Sequence, residues 1–148
     1  MKHAFIVDMD STLSDPKHRL HYVQTNPKNF SAFEQECHHD EPIKPVEHVV
    51  RALYNHGFYI LIVSARMDDR KHLTEGWLKK HNIPHHALYM RKAKDTRKDD
   101  VIKLELLDKI KEEGYTIIGA FDDRKRVKRM WVENGIFVFD CNQHDKEY

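Results

Sequence analysis

The chain has little cysteine, little glycine and almost no net charge: two Cys, five Gly and a formal charge of +1 in 148 residues. Cys37 and Cys141 make no CxxC and no disulfide framework, so a disulfide-stapled scaffold is excluded and both read as free thiols. The glycines stand at 57, 76, 114, 119 and 135 and never in GxxxxGK[ST], which excludes a P-loop. No apolar run is long: stretches such as Phe58–Val63 are strand length, far short of the ~20 residues of a membrane span. The opening MKHAFIVDMD is interrupted by two carboxylates and lacks the apolar core of a signal peptide. A cytoplasmic protein with no membrane partner is therefore expected. Histidine is abundant, at twelve, but no HExxH or zinc-finger spacing occurs.

What is present alternates. Ala4–Val7, Phe58–Val63, Ala87–Met90, Thr116–Phe121 and Ile136–Phe139 are short continuous apolar runs, the pattern of buried parallel strands. Helical stretches lie between them: Val46–His56, Arg70–His81, Asp99–Glu113 and Arg124–Asn134, each followed by or ending at a Gly or Asn. The length suits one domain with one sizeable core. The fold class expected is α/β, a three-layer Rossmann-like parallel sheet, as a single domain over 1–148. Residues 14–42 break the alternation and read as a small helical cap insertion, with short helices near Lys17–Gln24 and Phe30–Cys37. Following the first strand, it would overhang the carboxyl edge of the sheet.

Ligands of open α/β sheets bind at that edge. Here strand one runs into Asp8-Met9-Asp10-Ser11-Thr12, the second ends at Ser64-Ala65-Arg66, and the fourth at Asp122-Asp123-Arg124. One Asp after a strand is an ordinary turn or cap residue. Polar groups gathered from three distant strands are harder to explain that way. Clustered carboxylates repel unless a hard divalent ion lies between them, and oxygen ligands favour Mg²⁺. Asp8 and Asp10 could divide the labour, one attacking phosphorus and the other moving the proton. Ser64 and Thr12 could hold phosphoryl oxygens. Lys103 shares the inward stripe of Leu106, Leu107 and Ile110, a costly place for a lysine without an anion. It also stands i, i+4 from Asp99, so a plain surface ion pair is the competing reading.

Together, DMDST, Ser64, Lys103 and FDD resemble the four motifs of the haloacid dehalogenase-like phosphohydrolases. DTRKDDVIK (Asp95–Lys103) and FDDRKRVKRMW (Phe121–Trp131) further resemble the 3′-phosphatase domain of bacteriophage polynucleotide kinase, over nearly the whole chain. The resemblance implies Asp8 as nucleophile and metal ligand, and Asp10 as general acid–base whose backbone carbonyl also touches Mg²⁺. It implies Ser64 and Lys103 on the transferring phosphate, and the Asp122–Asp123 pair completing the metal site. Arg19 and Arg66 match arginines that contact phosphate or substrate. Asp99 matches an acidic residue that would orient Lys103 or an arginine, and Arg124 follows the acidic pair as in the relative. Ser11 and Ala65 replace glycines, neither removing a reacting group. The missing P-loop implies that this chain does not phosphorylate 5′ ends.

The reading favoured is a Mg²⁺-dependent phosphomonoesterase acting through an aspartyl-phosphate on nucleic-acid 3′ ends, with a separate kinase or ligase partner to complete end healing. The basic runs RKAKDTRK and RKRVKR adjoin the proposed site and suit a phosphodiester, while the acidic insertion (Glu34–Glu41) opposes tight binding of long duplex. A nucleotidase or small-molecule phosphatase of the same mechanism is the alternative, and a non-catalytic interaction module a third. Trp131 shares a helix face with Val127 and Met130 and reads as core, and Tyr22, Phe30 and Phe33 as packing within the insertion.

Overall fold

The computed structural model describes residues 1–145. Its strands are β1 (Lys2–Val7), β2 (Ser14–Asp15), β3 (Glu41–Pro42), β4 (Tyr59–Met67), β5 (Ala87–Arg91), β6 (Tyr115–Asp122) and β7 (Val138–Asp140). Five of them form one parallel sheet in the order β5-β4-β1-β6-β7. The helices are α1 (Phe30–Gln35), α2 (Lys44–Asn55), α3 (Lys71–Lys80), α4 (Asp99–Glu112) and α5 (Lys125–Glu133), of which α2 to α5 connect the strands of the sheet. Alternate residues of each strand feed opposite layers, as the two-residue period of a strand requires. Ala4 and Ile6 pack with Leu107, Ile110, Val127 and Trp131 of α4 and α5, whereas Phe5 and Val7 pack with Val50, Trp77 and Leu78 of α2 and α3. The continuous apolar runs in the sequence are thus strands covered on both faces.

The helix stops have a common cause. Gly57, Asn82, Gly114 and Gly135 have φ of 103°, 53°, 91° and 77°, the left-handed conformation that ends a helix and that Gly and Asn tolerate best. Helix α2 begins two residues earlier than its apolar pattern suggests, with Pro45 inside the first turn, where a missing N–H costs nothing.

Two features differ from the sequence reading. The insertion is not purely helical: β2 and β3 pair antiparallel and close its neck. Between them lie a 3₁₀ turn at Lys17–Val23, helix α1 and a second 3₁₀ turn at Glu36–His39. Strand β4 continues past Val63 to Met67, and its register against β5 shifts between Ser64 and Met67, leaving Ala65 and Arg66 in a bulge. A bulge re-aims side chains, and this one lies at the carboxyl edge. Among the described residues, no helix is long and apolar enough to cross a membrane.

Candidate active site

The turn after β1 is wound around one carbonyl. Met9 O accepts from the N–H groups of Thr12, Leu13 and Ser14 at 3.0 to 3.1 Å, and Ser11 N donates to Ser14 O at 2.8 Å. Ser11 sits at φ 64° to make this possible, which explains the glycine expected there: a side chain is tolerated, in a conformation L-residues disfavour. Asp8 N remains tied to Phe121 O at 3.0 Å, so the Asp8 carboxylate stands at the junction of β1 and β6.

Three buried carboxylates meet there. One oxygen each from Asp8, Asp122 and Asp123 lie within 4.8 Å of one another. The only ammonium that contacts them among the described residues is Lys103, whose Nζ donates to Asp8 Oδ1 at 2.8 Å and Asp122 Oδ2 at 2.9 Å. Lys103 is 2% exposed, and its pairing is with these aspartates, not with Asp99 one turn away. Burial alone would push its pKa down, but Asp122 and Asp8 hold it above the ordinary lysine range. Burial and the Asp122 charge push Asp8 well above the usual carboxylate range despite Lys103. Asp123 is pushed up to about 6, chiefly by burial. Three carboxylates against one ammonium leave the cluster electron-rich, and its all-oxygen donor set fits a hard divalent cation. Thr12 Oγ1 lies 3.3 Å from both Asp8 Oδ2 and Asp123 Oδ1. Trp131 is core, as its helix face suggests, but its indole N–H also reaches Asp122 Oδ2 at 3.2 Å.

Asp10 belongs to a second network. Its carboxylate accepts from Arg66 Nη2 at 2.6 Å and Nε at 3.1 Å, and from Arg19 Nη2. Burial opposes ionisation, yet the two guanidiniums hold its pKa well below the usual carboxylate range. Both arginines are also seated on Asp40, a fully buried carboxylate that receives Arg19 Nε at 2.8 Å and Nη2 at 2.7 Å, and Arg66 Nη2 at 3.4 Å. His18 Nε2 lies 2.7 Å from Asp40 Oδ1, and Trp77 donates to the Asp40 carbonyl at 2.7 Å. Arg19 further lies over the Phe33 ring, 4.2 Å from its centroid.

A cleft of about 480 Å³ opens onto both networks. Asp8, Asp10, Ser64, Lys103 and the Asp122–Asp123 pair line it with Arg19 and Arg66. Ser64 Oγ accepts the Arg66 N–H at 3.1 Å, leaving its own O–H as a donor. Asp99 and Arg124 also line the cleft and lie together, Arg124 Nε at 3.3 Å from Asp99 Oδ2, while Arg91 donates to Asp99 Oδ1 at 2.6 Å. Asp99 thus contacts two arginines, Arg91 and Arg124.

The structure corrects the sequence reading at three points. Thr12 is fully buried and absent from the cleft wall, its hydroxyl lying between Asp8 and Asp123. Both Phe33 and Phe30 line the cleft; Phe33 is buried beneath Arg19, as a packing residue should be, but Phe30 is 57% exposed. Asp40 and Arg91 were not among the candidate residues. Asp40 lies inside the acidic run Glu34–Glu41, and Arg91 opens the basic run RKAKDTRK. No local spacing marks that Arg91 would also staple Ala65 O, at 2.8 Å, to the loop before α4.

Comparison with known proteins places this geometry. Residues 2–145 match the family described as polynucleotide kinase PNKP phosphatase domain. A protein of Autographa californica nuclear polyhedrosis virus, named as a bifunctional polynucleotide kinase/RNA ligase, is 32% identical over 132 residues, 88% of this chain and 18% of its own length. Pnkp1 in the solved Pnkp1/Rnl/Hen1 RNA repair complex superposes with a TM-score of 0.83 at 29% identity, over 95% of this chain and 42% of that one. The class C acid phosphatase of Bacillus anthracis shares the fold at 14% identity and a TM-score of 0.66, over 99% of this chain and 74% of its own. The chain therefore spans less than half the length of the two relatives that share more of its sequence. The chain belongs to the family of polynucleotide kinase PNKP phosphatase domains, phosphoric monoester hydrolases of the haloacid dehalogenase-like fold.

Proposed function

We propose that the chain removes 3′-phosphates from nucleic-acid ends with Mg²⁺, through an aspartyl-phosphate on Asp8. The observation that carries this reading is the placement of Asp8: it touches Lys103 at 2.8 Å, beside Asp123, on the wall of a cleft that Arg19, Arg66 and Ser64 share. Asp8 Oδ attacks phosphorus in line, and the bond from phosphorus to the 3′ oxygen breaks. Asp10, which takes up a proton from solvent once the bound phosphate has drawn Arg66 and Arg19 away from it, gives that proton to the leaving oxygen. Asp10 then takes a proton from water, whose oxygen attacks the same phosphorus; inorganic phosphate leaves and Asp8 is restored.

Asp10 is ionised in the resting arrangement, held so by Arg66 and Arg19. An incoming phosphate competes for the same two guanidiniums. As they turn to its oxygens, Asp10 loses its counter-charges and its pKa rises, which prepares it to act as the acid. Lys103 and the Ser64 hydroxyl neutralise charge developing on the transferring oxygens.

Asp8 and Asp123 would hold Mg²⁺ through their carboxylates, with the Asp10 carbonyl as a third oxygen. Asp122 already accepts from Lys103, Trp131 and the N–H groups of Asp123 and Arg124, so it orients the set. Bound there, the ion would offset the nucleophile's charge as it approaches the phosphate. Polynucleotide ends as substrate are supported by the family and by Lys98 and Arg126 at the cleft. Segment 14–42 acts as a cap over the site. The relatives' names support a ligase partner in end repair for this chain also.

The test is phosphate release with Mg²⁺ from a 3′-phosphorylated oligonucleotide, its 5′-phosphorylated twin, and 3′- and 5′-mononucleotides, with Asp8→Asn as control. Preference for the 3′ end with no release by Asp8→Asn is expected. Equal or faster turnover of mononucleotides would make the protein a nucleotidase of the same mechanism. Release unaffected by Asp8→Asn would remove the mechanism.

A further inference from the structure

The wall of the cleft is chemically uneven. Beside Arg19, the insertion contributes apolar rings and a paired carboxylate: Phe30, Phe33, and Glu34 with Arg70 at 2.8 Å. The β5–α4 loop and α5 contribute Lys98 and Arg126, both exposed and neither ion-paired among the described residues. A single exposed Phe on a protein surface is ordinary. Phe30 differs in two respects. Its ring lines the same cleft as Asp8, and the short helix that carries it is fastened in place. Arg70 reaches Ser31 Oγ at 2.9 Å and Glu34 Oε2 at 2.8 Å, and the Asn29 side chain caps the helix by accepting from Ala32 N at 3.1 Å. A flat apolar face held on a clamped element is a stacking platform with little ordering left to lose on binding.

We propose that Phe30 is a nucleobase-stacking subsite for the terminal nucleotide, and that Lys98 and Arg126 receive the phosphodiester that precedes it. The proposal deepens the function proposed above and rests on it. Phosphate, base and second phosphate then meet three different parts of the chain. The Asp8 cluster with Arg19 and Arg66 takes the first, Phe30 the second, and the basic loop and α5 the third. Stacking is indifferent to base identity, because every base offers a π face, so the subsite selects for a nucleoside without reading sequence.

The experiment measures kcat/KM with Mg²⁺ for a 3′-phosphorylated trinucleotide, the same trinucleotide with an abasic terminal residue, and glycerol 2-phosphate. In Phe30→Ala the ratio of base-bearing to abasic turnover should fall about tenfold, through KM, and Phe30→Trp should restore it. Separately, Lys98→Ala with Arg126→Ala should make trinucleotide binding less salt-dependent, lowering the slope of log K against log salt by about 0.7 for each phosphate no longer neutralised. An unchanged ratio in Phe30→Ala, or a Phe30→Trp variant no better than Ala, would overturn the subsite. A wild type with no preference for 3′ over 5′ ends would instead overturn the 3′-phosphatase reading. The Phe30 ratio, read on a 3′-mononucleotide against ribose 3-phosphate, still decides the platform in that case.

Discussion

Arg19 and Asp40 form a bidentate pair, Nε to Oδ1 at 2.8 Å and Nη2 to Oδ2 at 2.7 Å, with both side chains sealed from solvent. Asp40 also touches Arg66, so one buried carboxylate seats both guanidiniums that hold Asp10. Planar two-point contacts of this kind fix orientation as well as charge. Asp40→Ala should cost about 3–5 kcal/mol, since it leaves two buried cations to share the single carboxylate of Asp10. Urea unfolding measures that cost. A positioning role requires more: Asp40→Glu, which keeps the charge and displaces it, should fold and yet show reduced kcat. Full kcat in Asp40→Glu would reduce Asp40 to a structural residue.

Lys103 separates Asp8 from Asp122 and is the ammonium of the cluster. Lys103→Met keeps an apolar stem at this buried position of α4 and deletes the charge. Turnover should fall by about 10²–10³, the usual loss when one preorganised donor to developing charge is removed. Steady-state kinetics with saturating Mg²⁺ would show it. A surface ion pair, worth only a few tenths of a kcal/mol, could not account for a loss of that size.

The sheet was legible because its signals are local. Continuous apolar runs named all five strands, and Gly57, Asn82, Gly114 and Gly135 each ended a helix where the chain turns left-handed. Asp8, Lys103 and the Asp122–Asp123 pair were legible from types and strand ends, and they meet in space. Asp40 and Arg91 were not. Their importance lies in partners 21 and 26 residues away, Arg19 and Ala65, and each sits in a charged run whose composition does not single out one member. Thr12 and Phe30 failed differently: each was seen, but a motif gives a residue's place in the chain and not which way its side chain faces.

Ser11 gives a simple stability test. At φ 64° a serine carries a conformational cost that glycine does not. Ser11→Gly should therefore be neutral to stabilising, by up to about 1 kcal/mol, although glycine elsewhere usually destabilises. A thermal melt distinguishes the two. Loss of stability would mean that the serine hydroxyl contributes more than the backbone relief.

Asp10 titrates in a direction that stability can read. Its folded pKa lies below the ordinary value of ~3.9 because Arg66 and Arg19 outweigh burial. A depressed acid contributes stability that is fully present above the unfolded pKa and is lost as pH falls through the folded one. The stability gap between wild type and Asp10→Asn should thus be constant from neutral pH to about 5 and shrink below about 4. Parallel urea titrations at each pH give the gap directly. A gap that closes already near pH 6 would mean that the two arginines do not hold the carboxylate in solution.

Asp8 and Asp123 are both pushed up by burial and, like Asp122, crowd within 4.8 Å of their neighbours. Folding must therefore work against carboxylate repulsion when no cation is bound. A divalent ion that binds only the folded cluster removes this repulsion and adds RT ln(1 + [L]/Kd), about 2.7 kcal/mol at a hundredfold excess over Kd. Mg²⁺ should raise the melting temperature of wild type, and EDTA should return it. Asp123→Asn should abolish the Mg²⁺ response while raising the melting temperature of the metal-free protein, because a repelling charge is gone. Asp122→Asn should lower metal-free stability instead, since Lys103 and Trp131 lose a charged acceptor. Opposite signs for these two neighbouring substitutions would separate the ligand from the residue that orients it; equal signs would remove that division of roles.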